Sequence, residues 1–213
     1  MSRLTALHKD RLLLDGEDWG TYQRLLRVFD ERRHLRITFD RGALEIMTLS
    51  PEHERCKHLI GRLIETLTEE LGLPIAGYGS MTLKRRRQQR GLEPDECFWI
   101  QHADRVRGLQ TYAPRRDPPP DLVVEVDISR SSLNRMDIYA ALSVPEVWRF
   151  NGSTMTISRL QSDSTYSEQP TSLTFDKLRS ADLERFLQLR GHTDENEIIR
   201  RFRAWIREKL ARR

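Results

Sequence analysis

Apolar positions along the chain follow two periods, and each period marks a different kind of element. Trp19, Tyr22, Leu25, Leu26 and Phe29 recur at helical spacing, which predicts an amphipathic helix over Asp18–Glu31. Leu59, Ile60, Leu63, Ile64 and Leu67 draw the stripe of the longest helix, Ser50–Leu71. Its start is signalled chemically, with Ser50 as N-cap, Pro51 as first helical residue, and Glu52 and Glu54 in the turn where the dipole favours acids. Leu133, Met136, Ile138, Tyr139, Ala141 and Leu142 predict a helix over about 132–142, His102–Leu109 holds a short one, and Asp182–Leu189 and Glu195–Leu210 close the chain as helices.

Between them the period shortens. Leu35–Phe39, Asp40-Arg41-Gly42 and Ala43–Met47 read as a β-hairpin with glycine in its turn. Pro74–Tyr78, Met81–Leu83 and Glu93–Ile100 are strand candidates, the last opening on a proline. Val144–Phe150 follows, and Asn151-Gly152 signals a hairpin into Thr154–Leu160, with Thr165–Glu168 able to pair further. The order αβββαβ, after an N-terminal helix and hairpin, predicts an α/β (α+β) domain with a small mixed β-sheet flanked by helices. We expect one domain over 1–213, with its core at about 35–160 and a C-terminal helical extension at about 181–213.

One strand stands apart. Pro120-Asp121-Leu122-Val123-Val124-Glu125-Val126-Asp127 alternates strictly, with Leu122, Val124 and Val126 on one side. Its β-branched residues between breakers predict burial, yet three carboxylates share the opposite face. A buried acid costs several kcal/mol unless it is paired or binds a metal. Asp121 and Glu125 lie about 13 Å apart at ~3.3 Å per residue, too far for one ion. A partner on a neighbouring strand is closer, about 4.5–5.5 Å between Cβ atoms. Asp95 with Glu125 would form a hard-oxygen site suited to Mg²⁺. Asp121 reads as a strand-start or turn residue.

Composition adds limits. The 213 residues are 32% charged and 38% hydrophobic, a soluble globular profile. The absence of a long apolar run and the polar Met1–Lys9 stretch make a cytoplasmic protein without membrane contact the expectation. Cys56 and Cys97 lack metal spacing. Neither GxGxxG nor GxxxxGK[ST] occurs, which argues against a doubly wound nucleotide-binding sheet. Net charge is only +4, but Lys84, Arg85, Arg86, Arg87 and Arg90 form a cluster with two readings, a solvated loop or a phosphate-contacting arm. The last helix carries Arg200, Arg201, Arg203, Arg207, Lys209, Arg212 and Arg213 beside Ile198, Phe202 and Trp205, so packing competes there with nucleic-acid contact.

Pro94-Asp95, Glu125 thirty residues on, the Ser-rich run after it and Ile138-Tyr139-Ala140-Ala141-Leu142-Ser143-Val144-Pro145-Glu146-Val147-Trp148 resemble the bacterial putative restriction endonuclease domain family. That family belongs to the PD-(D/E)XK nuclease superfamily, and the resemblance runs from about Trp19 to Leu160. It implies a restriction endonuclease-like fold, with Asp95 and Glu125 as Mg²⁺ (or Mn²⁺) ligands. His53, in Pro51-Glu52-His53, matches a family histidine, though a histidine near a helix start also has a purely structural reading.

The family's usual lysine is missing. Asp127 stands two positions after Glu125, and Arg135 stands where the family moves its lysine to the following helix. Arginine stays protonated and cannot act as a base, but it can stabilise charge growing on a phosphate. Asp127 reads as an acid, a further ligand or a turn cap. The expectation is a Mg²⁺-dependent endonuclease acting on DNA as a homodimer. Its alternatives are a catalytically weak or inactive nucleic-acid-binding module and a metal-dependent hydrolase of RNA or nucleotides.

Overall fold

The computed structural model describes residues 3–8, 10–29, 35–128 and 131–210. Glu31 at the predicted end of the first helix, Ser129 and Arg130 of the Ser-rich run, and Arg212 and Arg213 lie outside them. In chain order the elements are β1 (Arg3–His8), β2 (Arg11–Asp15), α1 (Trp19–Val28), β3 (Leu35–Asp40), β4 (Ala43–Thr48) and α2 (Pro51–Leu71). Then come β5 (Ala76–Gly77), β6 (Leu83–Arg85), β7 (Arg90–Leu92), β8 (Glu96–Trp99), α3 (Ala103–Val106) and β9 (Leu122–Val126). The chain continues through α4 (Arg135–Leu142), β10 (Glu146–Phe150), β11 (Met155–Leu160), β12 (Tyr166–Gln169), α5 (Ser180–Leu187) and α6 (Glu195–Lys209).

Local chemistry accounts for the boundaries. Ser50 caps α2, its Oγ accepting from His53 N at 3.1 Å, and Gly72 ends the helix at φ 65°. Asp18 caps α1 in the same way through Thr21 N at 2.6 Å. Between β3 and β4, Arg41 and Gly42 both take positive φ (47° and 101°), as a two-residue type I′ turn demands. Asn134 caps α4, which begins three residues later than the apolar pattern indicated.

Two six-stranded sheets result. The first, antiparallel throughout, runs β1-β2-β4-β3-β7-β6. The second runs β12-β11-β10-β9-β8-β5, with β9 and β10 parallel and the other pairs antiparallel. The predicted αβββαβ order is that of α2, β5, β8, β9, α4 and β10 in the second sheet. The first sheet was half legible: the β3–β4 hairpin was read, whereas β1 and β2 were not. Lys84–Arg90 is a further difference, because the run forms the β6–β7 hairpin closed by a 3₁₀ turn over Arg86–Gln88 and not an unstructured arm.

β9 is buried on both faces, as its sequence required. Leu122, Val124 and Val126 join Leu59, Ile60 and Leu63 of α2 and Phe202 and Ile206 of α6 in the largest core. Val123 faces the other way, among Ile138, Tyr139 and Leu142 of α4. A third cluster packs Tyr22 of α1 on Ile37, Phe39 and Leu44. Of the described residues, no helix is long and apolar enough to cross a membrane.

Candidate active site

Glu125 lies on the α4 side of β9, where the two sheets meet. The register pairs Glu96 with Val124, and Asp95 N donates to Val124 O at 3.2 Å. Asp95 therefore enters β8 opposite Glu125, the arrangement expected from the sequence. Both side chains are buried, at 3% and 5% exposure, and His53 from the first turn of α2 is buried with them. Asp95, Glu125, His53, Arg36 and Arg135 share the walls of a cavity of about 20 Å³, room for one water-sized body.

Each acid commits one oxygen to the protein. Asp95 Oδ2 accepts from Val126 N at 2.7 Å and is bonded to His53 Nε2 at 3.0 Å. Glu125 Oε1 accepts from Arg135 at 2.7 Å and from the Tyr139 hydroxyl. Asp95 Oδ1, 3.9 Å from Arg36 Nε, and Glu125 Oε2 are left as hard-oxygen donors. Among the described residues no three His, Cys, Asp or Glu side chains gather as an ion's cage. A divalent ion held by this pair would thus keep water ligands, which is the habit of Mg²⁺, and the donor set fits it.

The electrostatics separate the two acids. Burial pushes the Glu125 carboxyl up to about 7; Arg135 opposes the rise, and the charges of Asp95 and Asp127 add to it. Burial would raise Asp95 as well, but the His53 bond and charge, with Arg135, hold it below the usual carboxylate value. Burial would lower His53, yet the bond and charge of Asp95, reinforced by Glu54, lift it above its ordinary value. Its Nδ1 lies 3.4 Å from Glu54 Oε1, so the ring stands between two acids.

Arg135 is fixed on three sides. Beyond Glu125 it donates to Glu93 O at 2.7 Å and to Thr38 Oγ1 at 2.9 Å. Asp127 leaves the buried cluster and pairs with Arg149, whose Nε donates to its Oδ2 at 2.7 Å. Asp121 sits at the far end of β9, accepting from Ile100 N at 2.7 Å and His102 N at 3.0 Å, the turn role expected for it.

The basic run stands elsewhere. Arg85 donates to Ala141 O at 3.2 Å and Arg90 to Asp40 at 2.9 Å and Asp137 O at 3.1 Å, so both tie the β6–β7 hairpin to its surroundings. Lys84 is half-buried against Gln23, and burial lowers its pKa. Arg86 and Arg87 remain exposed, on a groove that none of the acids lines. The terminal helix is largely neutralised: Arg203 and Arg207 pair with Glu69 and Glu70, and Arg200 and Arg201 with Glu197.

Three contributors went unread in the sequence. Glu45, fully buried on β4, accepts from Ser131 Oγ at 2.5 Å and Ser132 N at 2.6 Å and so anchors the segment after β9. Tyr139 supports Glu125 from α4. Arg36 lines the cavity from β3. A charged residue inside an otherwise apolar strand was the available signal for Glu45 and Arg36.

A family model described as "Putative restriction endonuclease" matches residues 19–191. The chain belongs to this family. The matched span contains every residue around the acidic cavity, so the putative restriction endonuclease family and the site coincide in the chain. No curated protein matches the sequence. Among solved structures, the chain is similar to one described as "a putative nuclease belonging to DUF820" from Anabaena variabilis ATCC 29413, at 13% identity and a TM-score of 0.47 over 71% of this chain and 90% of that one.

Proposed function

We propose that the chain is a Mg²⁺-dependent endonuclease that hydrolyses DNA phosphodiester bonds at the Asp95–Glu125 pair. The observation that carries this reading is the pair itself: two buried carboxylates on adjacent strands, each with one oxygen free of hydrogen bonds among the described residues, in a chain of a restriction endonuclease family. Asp95 and Glu125 would hold the ion through those oxygens. A bound divalent ion supplies Lewis acidity toward a phosphoryl oxygen and lowers the pKa of a water it binds.

The protein's own groups set the frame. The His53–Asp95 bond fixes Asp95 and holds its carboxyl below the usual carboxylate value. Arg135 and Tyr139 hold Glu125 in one orientation. With its donors directed at Glu125, Glu93 and Thr38, Arg135 acts as a positioning residue, a different part from the phosphate-stabilising one its sequence position implied. Arginine cannot accept a proton, so the proton released on hydrolysis passes to solvent or to the phosphate.

Incubation of supercoiled plasmid with the protein and Mg²⁺ is expected to yield nicked and linear DNA, and EDTA is expected to stop it. Equal cleavage in EDTA would remove the metal from the account. Faster hydrolysis of an RNA of the same sequence would move the substrate class to RNA. Cutting both strands with one site per chain calls for two copies, so we propose a homodimer.

The missing lysine favours a second reading, a module that binds nucleic acid without turnover. It predicts salt-sensitive retention of DNA with no nicked product.

A further inference from the structure

We propose that Arg149, with Thr156 beside it, forms a DNA-phosphate subsite next to Glu125. This rests on the nuclease reading and adds the surface that seats the strand. A second cavity, of about 380 Å³ and far roomier than the acidic one, opens between Glu125, Asp127, Arg135, Arg149 and Thr156. Its floor is a row across three strands. Arg149 on β10 is the register partner of Glu125 on β9 and of Thr156 on β11. Register partners project from the same face, and neighbouring strands lie about 4.8 Å apart. Acid, cation and hydroxyl thus stand in line over roughly 10 Å.

The cations around the acids are otherwise engaged. Arg135 is buried and fixed by three acceptors. Arg36 is buried and donates to Leu35 O at 3.1 Å. Arg190 pairs with Glu52 and lies over the Phe150 ring. Arg149 differs, since its side chain is 46% exposed in the cleft. Asp127 Oδ2 meets it only through Nε at 2.7 Å and one terminal nitrogen at 2.5 Å. A guanidinium has five N–H donors, so among the described residues its other terminal nitrogen is uncommitted, and it suits a phosphate. The Thr156 hydroxyl takes no partner among the described residues and adds a donor at the end of the row.

Asp127 has a part in the same design. It occupies the position of the family's lysine, where a bare carboxylate would repel a phosphate. Paired with Arg149 it is neutralised, and it holds the guanidinium at the cleft. The positive charge missing from β9 is supplied from β10.

Binding of a fluorescein-labelled DNA duplex to the protein in EDTA, followed by anisotropy over a salt series, tests this apart from turnover. Arg149→Gln is expected to weaken binding at least about tenfold. It is also expected to reduce the slope of log Kd against log salt by about 0.9, the loss of one phosphate contact. Arg149→Lys restores the slope but only part of the affinity. Asp127→Asn, which keeps an oxygen for Arg149 but removes the charge that offsets it, tightens binding. An unchanged slope and affinity in Arg149→Gln would overturn the subsite, and so would a wild-type protein that binds no DNA. Loss of cleavage in Glu125→Gln alongside unchanged binding in Arg149→Gln would leave the nuclease reading intact. Arg149-dependent binding without wild-type cleavage would keep the subsite and sink the nuclease.

Discussion

Glu125→Gln is expected to lower Mg²⁺-dependent cleavage by about three orders of magnitude, since metal-assisted charge stabilisation is worth several kcal/mol and each 1.36 kcal/mol is tenfold. The amide keeps the size of the side chain and an oxygen for Arg135 and Tyr139, but it loses the charge that holds the ion. Plasmid nicking time courses read the effect, and cleavage within a fewfold of wild type would refute it. The same variant has a second signature in metal-free protein. The Glu125 carboxyl titrates near 7 in the fold, against an ordinary 4.5, because it is buried beside Asp95 and Asp127. Between those values the native state keeps a proton that the unfolded chain has released. Stability from this group is therefore full below about pH 4.5, falls as pH rises, and is lost above about 7. Glu125→Gln removes this decline. Across that window, its urea-unfolding free energy should gain about 3 kcal/mol on wild type. Parallel pH profiles would show that the acid is not so perturbed.

Arg135→Ala is expected to destabilise the protein by roughly 3–5 kcal/mol, the cost of leaving a buried charge without its partner. For a domain of this size that is about 10 °C in melting temperature. The loss is larger than a surface ion pair gives because Arg135 satisfies Glu125, Glu93 O and Thr38 together, joining α4 to both sheets. Without the guanidinium the Glu125 carboxyl rises further, so the variant's loss of stability with pH continues to higher pH than in wild type. Arg135→Lys keeps one charge but not the planar fork and should fall between the two. A thermal melt within 2 °C of wild type for Arg135→Ala, judged against that scale, would show the contact to be dispensable.

Much of this site was legible because it obeys local rules. A carboxylate at alternate positions of an apolar strand announces itself, and cross-strand spacing together with the family resemblance at Pro94-Asp95 paired Glu125 with Asp95. The cap sequence Ser50-Pro51-Glu52-His53 set the start of α2 and with it the place of His53. What was hidden depends on contacts that carry no local signature. Arg149 reads as an ordinary outward residue of β10, and its meaning comes from standing between Glu125 and Thr156 in the sheet. Tyr139 fits its helix stripe as a core residue, and only the fold turns its hydroxyl toward Glu125. The basic run misled in the opposite direction. Charge density along the chain left Lys84–Arg90 as a solvated loop or a phosphate-contacting arm, whereas Arg85 and Arg90 spend their donors on backbone and Asp40 across the hairpin and α4.

The central claim is that Asp95 and Glu125 hold one divalent ion between them. Calorimetric titration of Mn²⁺ into EDTA-stripped wild type, Asp95→Asn and Glu125→Gln tests it most directly. We predict a single site in the wild type, with either substitution weakening it by at least about tenfold. Equal Mn²⁺ affinity in all three proteins would contradict the account.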